Sequence, residues 1–196
     1  MYAPHILLIQ GHPDASKPHL CHALANAYAE GARAGGFELR TIDVARLQFD
    51  ILRNPFEWEH GPVPAGLKTV QDDLTWAEHI VFFFPLWLGD MPALLKGFLE
   101  QVARPGFAFM SADGNPFVHK ALTGRSARVV VTMGMPALVY RYYFRAHSVK
   151  SLERNILGFI GIKPVNETLI GRVDEMDEED INTWLTKLHA LGRRAV

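Results

Sequence analysis

The sequence predicts an α/β protein built on a five-stranded parallel sheet with helices on both faces, and three observations carry that reading. First, Ile80-Val81-Phe82-Phe83-Phe84 is an unbroken apolar run. A strand with one wet face would alternate, so this one reads as buried on both faces, as in a parallel sheet. Second, Ile6-Leu7-Leu8-Ile9 and Val129-Val130-Val131 are runs of the same kind. Third, segments with apolar residues at helical spacing separate the strands, giving the order β-α-β-α-β-α-β-α-β with right-handed crossovers. The expected strand order is 2-1-3-4-5, in a single domain over residues 1–196.

Taken in order, His5–Gln10 forms the first strand and ends at Gly11. Leu20, Leu24, Tyr28 and Gly31 share a helical face in an alanine-rich segment closed by Gly35-Gly36. Phe37–Val44 alternates loosely and reads as the second strand. Residues 50–66 carry Pro55, Pro62, Pro64, Gly61 and Gly66, and are expected to be a long irregular loop with a functional part. Leu67, Val70 and Leu74 mark the next helix, which leads into the Ile80–Phe84 strand.

Pro85 cannot donate to a ladder and stops that strand. Pro92 starts a helix whose Leu95, Phe98, Leu99 and Val102 lie on one face. A second irregular region spans 104–128, broken by Pro105, Gly106, Gly114, Pro116 and Gly124. Its Phe107, Phe109 and Phe117 make it too apolar to sit free in water, which points to a partner surface. The fourth strand ends at Thr132-Met133-Gly134-Met135, and Tyr140–His147 is aromatic and basic. Val149, Leu152, Ile156 and Phe159 continue as a helix stopped near Gly161. Lys163–Ile170 makes the last strand, and Ile181, Trp184, Leu185 and Leu188 mark a closing helix.

Composition narrows the function. With 48% apolar and 21% charged residues the chain is not expected to be disordered. A net charge of −1 gives no electrostatic case for nucleic acid or an anionic membrane as the main partner. Cys21 is the only cysteine and has no internal disulfide partner, which fits a reducing compartment. No apolar stretch approaches the roughly 18 to 20 residues that span a bilayer. The apolar run near the N-terminus is too short for a signal-peptide core and lacks a basic flank. The expected location is the cytoplasm, with no membrane-spanning segment.

Three turns carry candidate chemistry. Gln10–His19 holds Ser16, Lys17 and the start of a helix, a setting that suits a phosphate group. It has neither the G-x-G-x-x-G nor the P-loop pattern, and a polar capping turn is the plainer alternative. His12, Asp14, His19 and His22 bear on metal binding, but no H-E-x-x-H or cysteine cluster accompanies them, so no metal is expected. The turn Leu86–Asp90 exposes backbone N–H groups and the Trp87 indole, unless Trp87 is merely core. Thr132–Met135 is the third turn. In a 2-1-3-4-5 sheet these three follow neighbouring strands and meet at one end, where open α/β sheets bind ligands.

Gly11-His12-Pro13-Asp14, the block Phe84-Pro85-Leu86-Trp87 with Met91-Pro92-Ala93-Leu94-Leu95-Lys96-Gly97, and Asn155–Gly161 resemble the NAD(P)H:quinone oxidoreductases of the DT-diaphorase type. The resemblance covers most of the chain, and its middle block is the most specific part. It implies a flavodoxin-like three-layer sandwich, a homodimer, bound FAD or FMN, and two-electron reduction of quinones by NADPH or NADH.

Carried over by the same resemblance, His12, Ser16 and His19 would meet the phosphate end of the flavin. Pro85, Leu86, Trp87, Leu88 and Gly89 would run beside its ring, and Thr132, Gly134 and Met135 would meet the far edge. Tyr140 and His147 would stand near N1 and O2 as the catalytic pair. The chain departs from the family at Leu88, at Gly134-Met135, and at Phe109 and Ser111 where the family has paired tyrosines. The expected activity is flavin-dependent transfer of two electrons from NAD(P)H to a quinone-like acceptor. Its rivals are azo or nitro reduction on the same fold, and a regulatory subunit of a membrane potassium-efflux transporter.

Overall fold

A computed structural model describes residues 4–110 and 119–196. Strand β1 (Ile6–Gln10) leads to helix α1 (Leu20–Ala34), strand β2 (Leu39–Asp43), and helices α2 (Pro55–His60) and α3 (Ala65–Trp76). Strand β3 (His79–Pro85) and helix α4 (Ala93–Val102) come next. A short antiparallel pair, β4 (Phe109–Met110) with β5 (His119–Lys120), precedes strand β6 (Ser126–Thr132). The chain then runs through helices α5 (Ala137–Tyr142), α6 (His147–Ser151) and α7 (Gly158–Ile160), strand β7 (Val165–Ile170) and helix α8 (Glu178–Gly192).

The main sheet has five parallel strands in the order β2-β1-β3-β6-β7. This is the 2-1-3-4-5 arrangement once the small β4–β5 pair is set aside. All seven residues of β3 are buried. Ile80, Phe82 and Phe84 face the α3–α4 layer, and Val81 and Phe83 face α1 and α8. The second layer is held closely: a Cβ at Gly31 would lie 2.0 Å from the His189 carbonyl oxygen, and one at Gly192 would lie 2.1 Å from that of Tyr28. Only glycine lets α1 and α8 meet backbone to backbone there. No described helix is long and apolar enough to cross a membrane.

Two sequence expectations change. The 50–66 region is not irregular throughout, because α2 lies inside it. Asn54 caps α2 by accepting from the Glu57 N–H at 2.9 Å, while Glu57 reaches back to the Arg53 N–H at 3.1 Å and Pro55 sits in the first turn. Arg104, only 4% exposed, ties this excursion to the body of the fold. Its Nη1 donates to the carbonyls of Glu57 (3.0 Å), Gly61 (2.8 Å) and Pro62 (3.3 Å), and its Nε donates to Gln101 O at 3.1 Å. The helix expected up to Gly161 does form, but a π-helical stretch over Leu152–Leu157 interrupts it. The wider turn rotates the face beyond it, so Phe159 is exposed rather than core. Phe107 is half-buried against the core, and Phe109 packs between Trp58 and Phe159. Ser111 lies outside the described residues.

A polar cluster interrupts the core on the α1–α8 side. His79 is 3% exposed and shares a 2.8 Å hydrogen bond between Nδ1 and Ser126 Oγ. Burial, reinforced by the charge of Arg128, pulls its pKa from 6.5 to about 4. Below pH 6.5 the unfolded chain takes up this proton while the folded protein does not. Stability is therefore whole above about pH 6.5 and falls as the pH drops toward 4. The loss by pH 4 amounts to about 3 kcal/mol, at 1.4 kcal/mol per pKa unit. Urea unfolding at stepped pH should show this slope, and His79→Gln should flatten it; an unchanged slope in the variant would assign the loss to other groups.

Candidate active site

The carboxyl ends of β1, β3 and β6 deliver three turns to one edge of the sheet. After β1, the Gly11 N–H donates to Phe83 O at 2.7 Å. A Cβ here would lie 2.8 Å from Leu95 Cδ2, so glycine lets the turn lie against α4. Gln10, buried at the strand end, ties the turn to α1. Its Oε1 accepts from the His12 N–H (3.0 Å) and the Cys21 thiol (3.4 Å), and its Nε2 donates to Cys21 O (3.2 Å). Desolvation raises the Cys21 pKa to about 12.

His12 is 6% exposed, and its Nδ1 accepts from the Asp14 N–H at 3.1 Å, which leaves its proton on Nε2. Burial lowers its pKa, and the neighbouring His19 and His22 lower it further. The His12 ring stacks on His19 at 3.9 Å and meets the edge of Trp87 at 6.2 Å. His22, its pKa also lowered by burial, accepts from the His19 N–H through Nδ1 at 3.3 Å. Asp14 organises the loop: it accepts from the Ser16 hydroxyl (2.5 Å), the Ser16 N–H (2.8 Å) and His19 Nε2 (2.8 Å). These bonds, the hydroxyl's first, hold its carboxyl well below the usual carboxylate range. Among the described residues, no group of three or more His, Cys, Asp or Glu side chains is arranged to hold a metal ion.

Beside this loop, Ala15, Ser16, Lys17, Pro18, His22, Asp43 and Arg46 line a depression of about 240 Å³, in which Asp43 is paired with Arg46. The first turn of α1 carries no acidic residue, so its N–H groups keep their positive end for an anion.

After β3, Pro85 is buried as the last strand residue, and the Leu86 N–H donates to Thr132 O at 2.8 Å. Trp87 and Asp90 then exchange two backbone hydrogen bonds of 2.8 and 3.0 Å around Leu88-Gly89. Both central residues have positive φ, 48° and 82°, as in a primed two-residue turn. Leu88 is a branched apolar residue, fully exposed, in a conformation that favours glycine or asparagine. Trp87 is 51% exposed, so it is not core. Below the turn, the Met91 N–H donates to Asp90 Oδ1 at 2.7 Å, and α4 begins.

After β6, Thr132 is buried, Gly134 is exposed and Met135 is half-buried. The backbone of Arg172 and Val173 donates to Met135 O and Met133 O, holding this turn against the end of β7. Tyr140 follows on α5. It is 2% exposed, and its hydroxyl is bonded to Ser148 Oγ at 2.6 Å and accepts from the Val149 N–H at 3.3 Å. The resemblance implies a place for this residue near the flavin; here both contacts of its hydroxyl are to the start of α6. His147 is exposed and lines a separate depression with Arg145, Lys150, Ser151, Arg154 and Asn155.

The structure thus brings His12, His19 and Trp87 into ring contact, joins Ser16 to them through Asp14, and ties Thr132 to Leu86. Gln10 and Asp14 join the site residues expected from the sequence. A lone polar residue closing an apolar strand is the signal that points to Gln10.

A family model described as the flavodoxin-like fold matches residues 4–191. A Haemophilus influenzae protein named as an uncharacterized NAD(P)H oxidoreductase is 24% identical over 177 residues, covering 88% of this chain and 86% of its own. The FMN-dependent NADH:quinone oxidoreductase 1 of Colwellia psychrerythraea is 32% identical over 94 residues, 48% of this chain and 46% of its own. The solved NAD(P)H:quinone oxidoreductase of Methanothermobacter marburgensis superposes with a TM-score of 0.81 at 21% identity, over 98% of this chain and 97% of that one, a likeness of fold.

Proposed function

The chain belongs to the flavodoxin-like family, and on that footing we propose that it is a flavin-dependent NAD(P)H oxidoreductase that passes two electrons to quinone-like acceptors. One observation carries the reading: three specialised turns converge at the carboxyl edge, at the point where the strand order reverses between β1 and β3. The names of the Haemophilus and Colwellia relatives support the reductant and the acceptor class, and the Colwellia name favours FMN over FAD.

The residues present fit a flavin. The uncharged first turn of α1, with Ser16, His19 and Lys17 beside it, suits a phosphate ester. His12 extends that surface toward the ring-binding turn. Of Pro85, Leu86, Trp87, Leu88 and Gly89, the last three are exposed and would form an apolar ledge beside the ring over the buried Pro85, with Thr132, Gly134 and Met135 following the neighbouring strand. When bound, a flavin supplies the hydride acceptor for NAD(P)H and the two-electron donor for the quinone.

The protein's own part is orientation and proton handling. His147 is exposed, and its ring N–H would serve as a hydrogen-bond donor toward developing negative charge, the role that the resemblance implies for it. We assign it the catalytic role. Tyr140 is instead a positioning residue: its carbonyl accepts from the Ala146 N–H at 3.0 Å and its hydroxyl binds Ser148, so it brackets His147 on both sides.

Assembly is argued from exposed apolar surface. Leu138, Tyr142, Tyr143 and Phe144 crowd the α5 segment beside the third turn, each at least 44% exposed. Trp58, Phe109 and Phe159 wall a groove of about 600 Å³ on the α4 side. Surface of this kind marks a protein partner, and we propose a second copy of the chain. Phe117, expected from the sequence to share that contact, lies outside the described residues.

Three measurements test these assignments. Ser16→Ala with His19→Ala should lose most of its flavin on dialysis while keeping its far-ultraviolet spectrum; full occupancy would remove this loop as the phosphate site. His147→Gln should retain flavin but slow its bleaching by NAD(P)H about ten- to a thousandfold in stopped flow, the range for a lost proton donor. A wild-type bleaching rate would leave His147 with no part in the chemistry. Light scattering at micromolar concentration should give twice the 22.0 kDa chain mass. A monomer with full activity would leave the α5 surface for a different partner, such as a transporter.

A further inference from the structure

The depression of about 500 Å³ lined by Arg145, His147, Lys150, Ser151, Arg154 and Asn155 has no acidic residue in its wall. Several exposed cations elsewhere are matched: Arg40 pairs with Asp73, Arg46 with Asp43, Lys96 with Glu100 and Arg141 with Glu167. Arg145, Lys150 and Arg154 have no such pair among the described residues. His147, Lys150 and Arg154 fall on one face of the helix that runs from α6 into the π-helical stretch. Like charges four residues apart, as at Lys150 and Arg154, repel one another. Asn155 is tied to Ser151 by a 3.3 Å hydrogen bond, adding amide and hydroxyl groups to the same face.

The backbone holds the third cation in place at a cost. Arg145 and Ala146 are two successive non-glycine residues in the left-handed region, with φ of 55° and 49°. Such strain persists where the surrounding structure enforces it, and it gathers at ligand sites. Here the enforcing contact is the Ala146 N–H to Tyr140 O, which turns Arg145 back beside the start of α6. The result is a cationic cup with guanidinium and ammonium donors, to whose wall His147 also contributes.

We propose that this cup binds the 2′-phosphate of NADPH, making Arg145, Lys150 and Arg154 the residues that select NADPH over NADH. The inference rests on the reading of the protein as an NAD(P)H oxidoreductase. A phosphate monoester is close to a dianion at neutral pH and offers three acceptor oxygens, matching three unpaired cations. The pyrophosphate of the dinucleotide has related chemistry but is common to NADH and NADPH, so the two sources are separable.

The test has two arms. Calorimetry should show adenosine 2′,5′-bisphosphate binding at least tenfold tighter than ADP, with Lys150→Gln/Arg154→Gln abolishing the difference. In steady state, the same double variant should raise the KM for NADPH ten- to a hundredfold more than that for NADH, with kcat for NADPH held. Equal affinities for the two nucleotides, or equal rises in both KM values, would overturn the 2′-phosphate assignment in favour of the pyrophosphate or of general steering. Flavin-loaded protein that oxidises neither dinucleotide would overturn the enzymatic reading instead. The calorimetric arm would still decide the phosphate site.

Discussion

Strand β3 is hydrogen-bonded along both edges, in register with β1 on one side and β6 on the other, and its side chains are buried on both faces. A strand in that position has no freedom to slip, because a one-residue shift would exchange Ile80, Phe82 and Phe84 with Val81 and Phe83 between two differently shaped layers. Its fixed register sets Gln10 opposite Phe83 and Pro85 opposite Thr132. The Gly11 N–H to Phe83 O and Leu86 N–H to Thr132 O bonds then stitch the three turns together at their roots. The candidate site is thus a consequence of sheet pairing before any polar contact is made.

That part of the molecule is legible in the sequence, since uninterrupted apolar runs and the residues that end them are local signals. Each departure has a physical reason. Pro55 reads as a breaker in isolation, yet with Asn54 before it and Glu57 after it the same proline starts a capped helix. The burial of Arg104 depends on carbonyls more than forty residues away, which no periodicity reports. The π-helical stretch arises from packing and leaves no composition signal, so helical spacing alone assigns Phe159 to the core. For Tyr140 the sequence offers only its place in an aromatic run, whereas its contact with Ser148 requires the left-handed bend at Arg145 and Ala146 to be known.

The two polar regions, around His12 and around His147, differ in electrostatic character. Around His12 the imidazoles are crowded and partly buried, with pKa values of His12 and His22 lowered, so at neutral pH they present hydrogen bonds more than charge. Asp14 holds its negative charge firmly among them. Around His147 the cations are exposed, permanent and unopposed. An extended ligand spanning both would be held at one end by directed hydrogen bonds and at the other by Coulomb attraction, and only the second would weaken steeply with salt.

Cys21 belongs to the core on the α1 side, with its thiol turned to Gln10 and its pKa raised by burial to about 12. Electrophiles add to thiolates, and burial keeps this thiol protonated at neutral pH. It is also the chain's sole cysteine. Burial, and not the Gln10 contact, which by itself eases ionisation, holds the proton on sulfur, so the packing that closes the first strand also makes this thiol chemically inert.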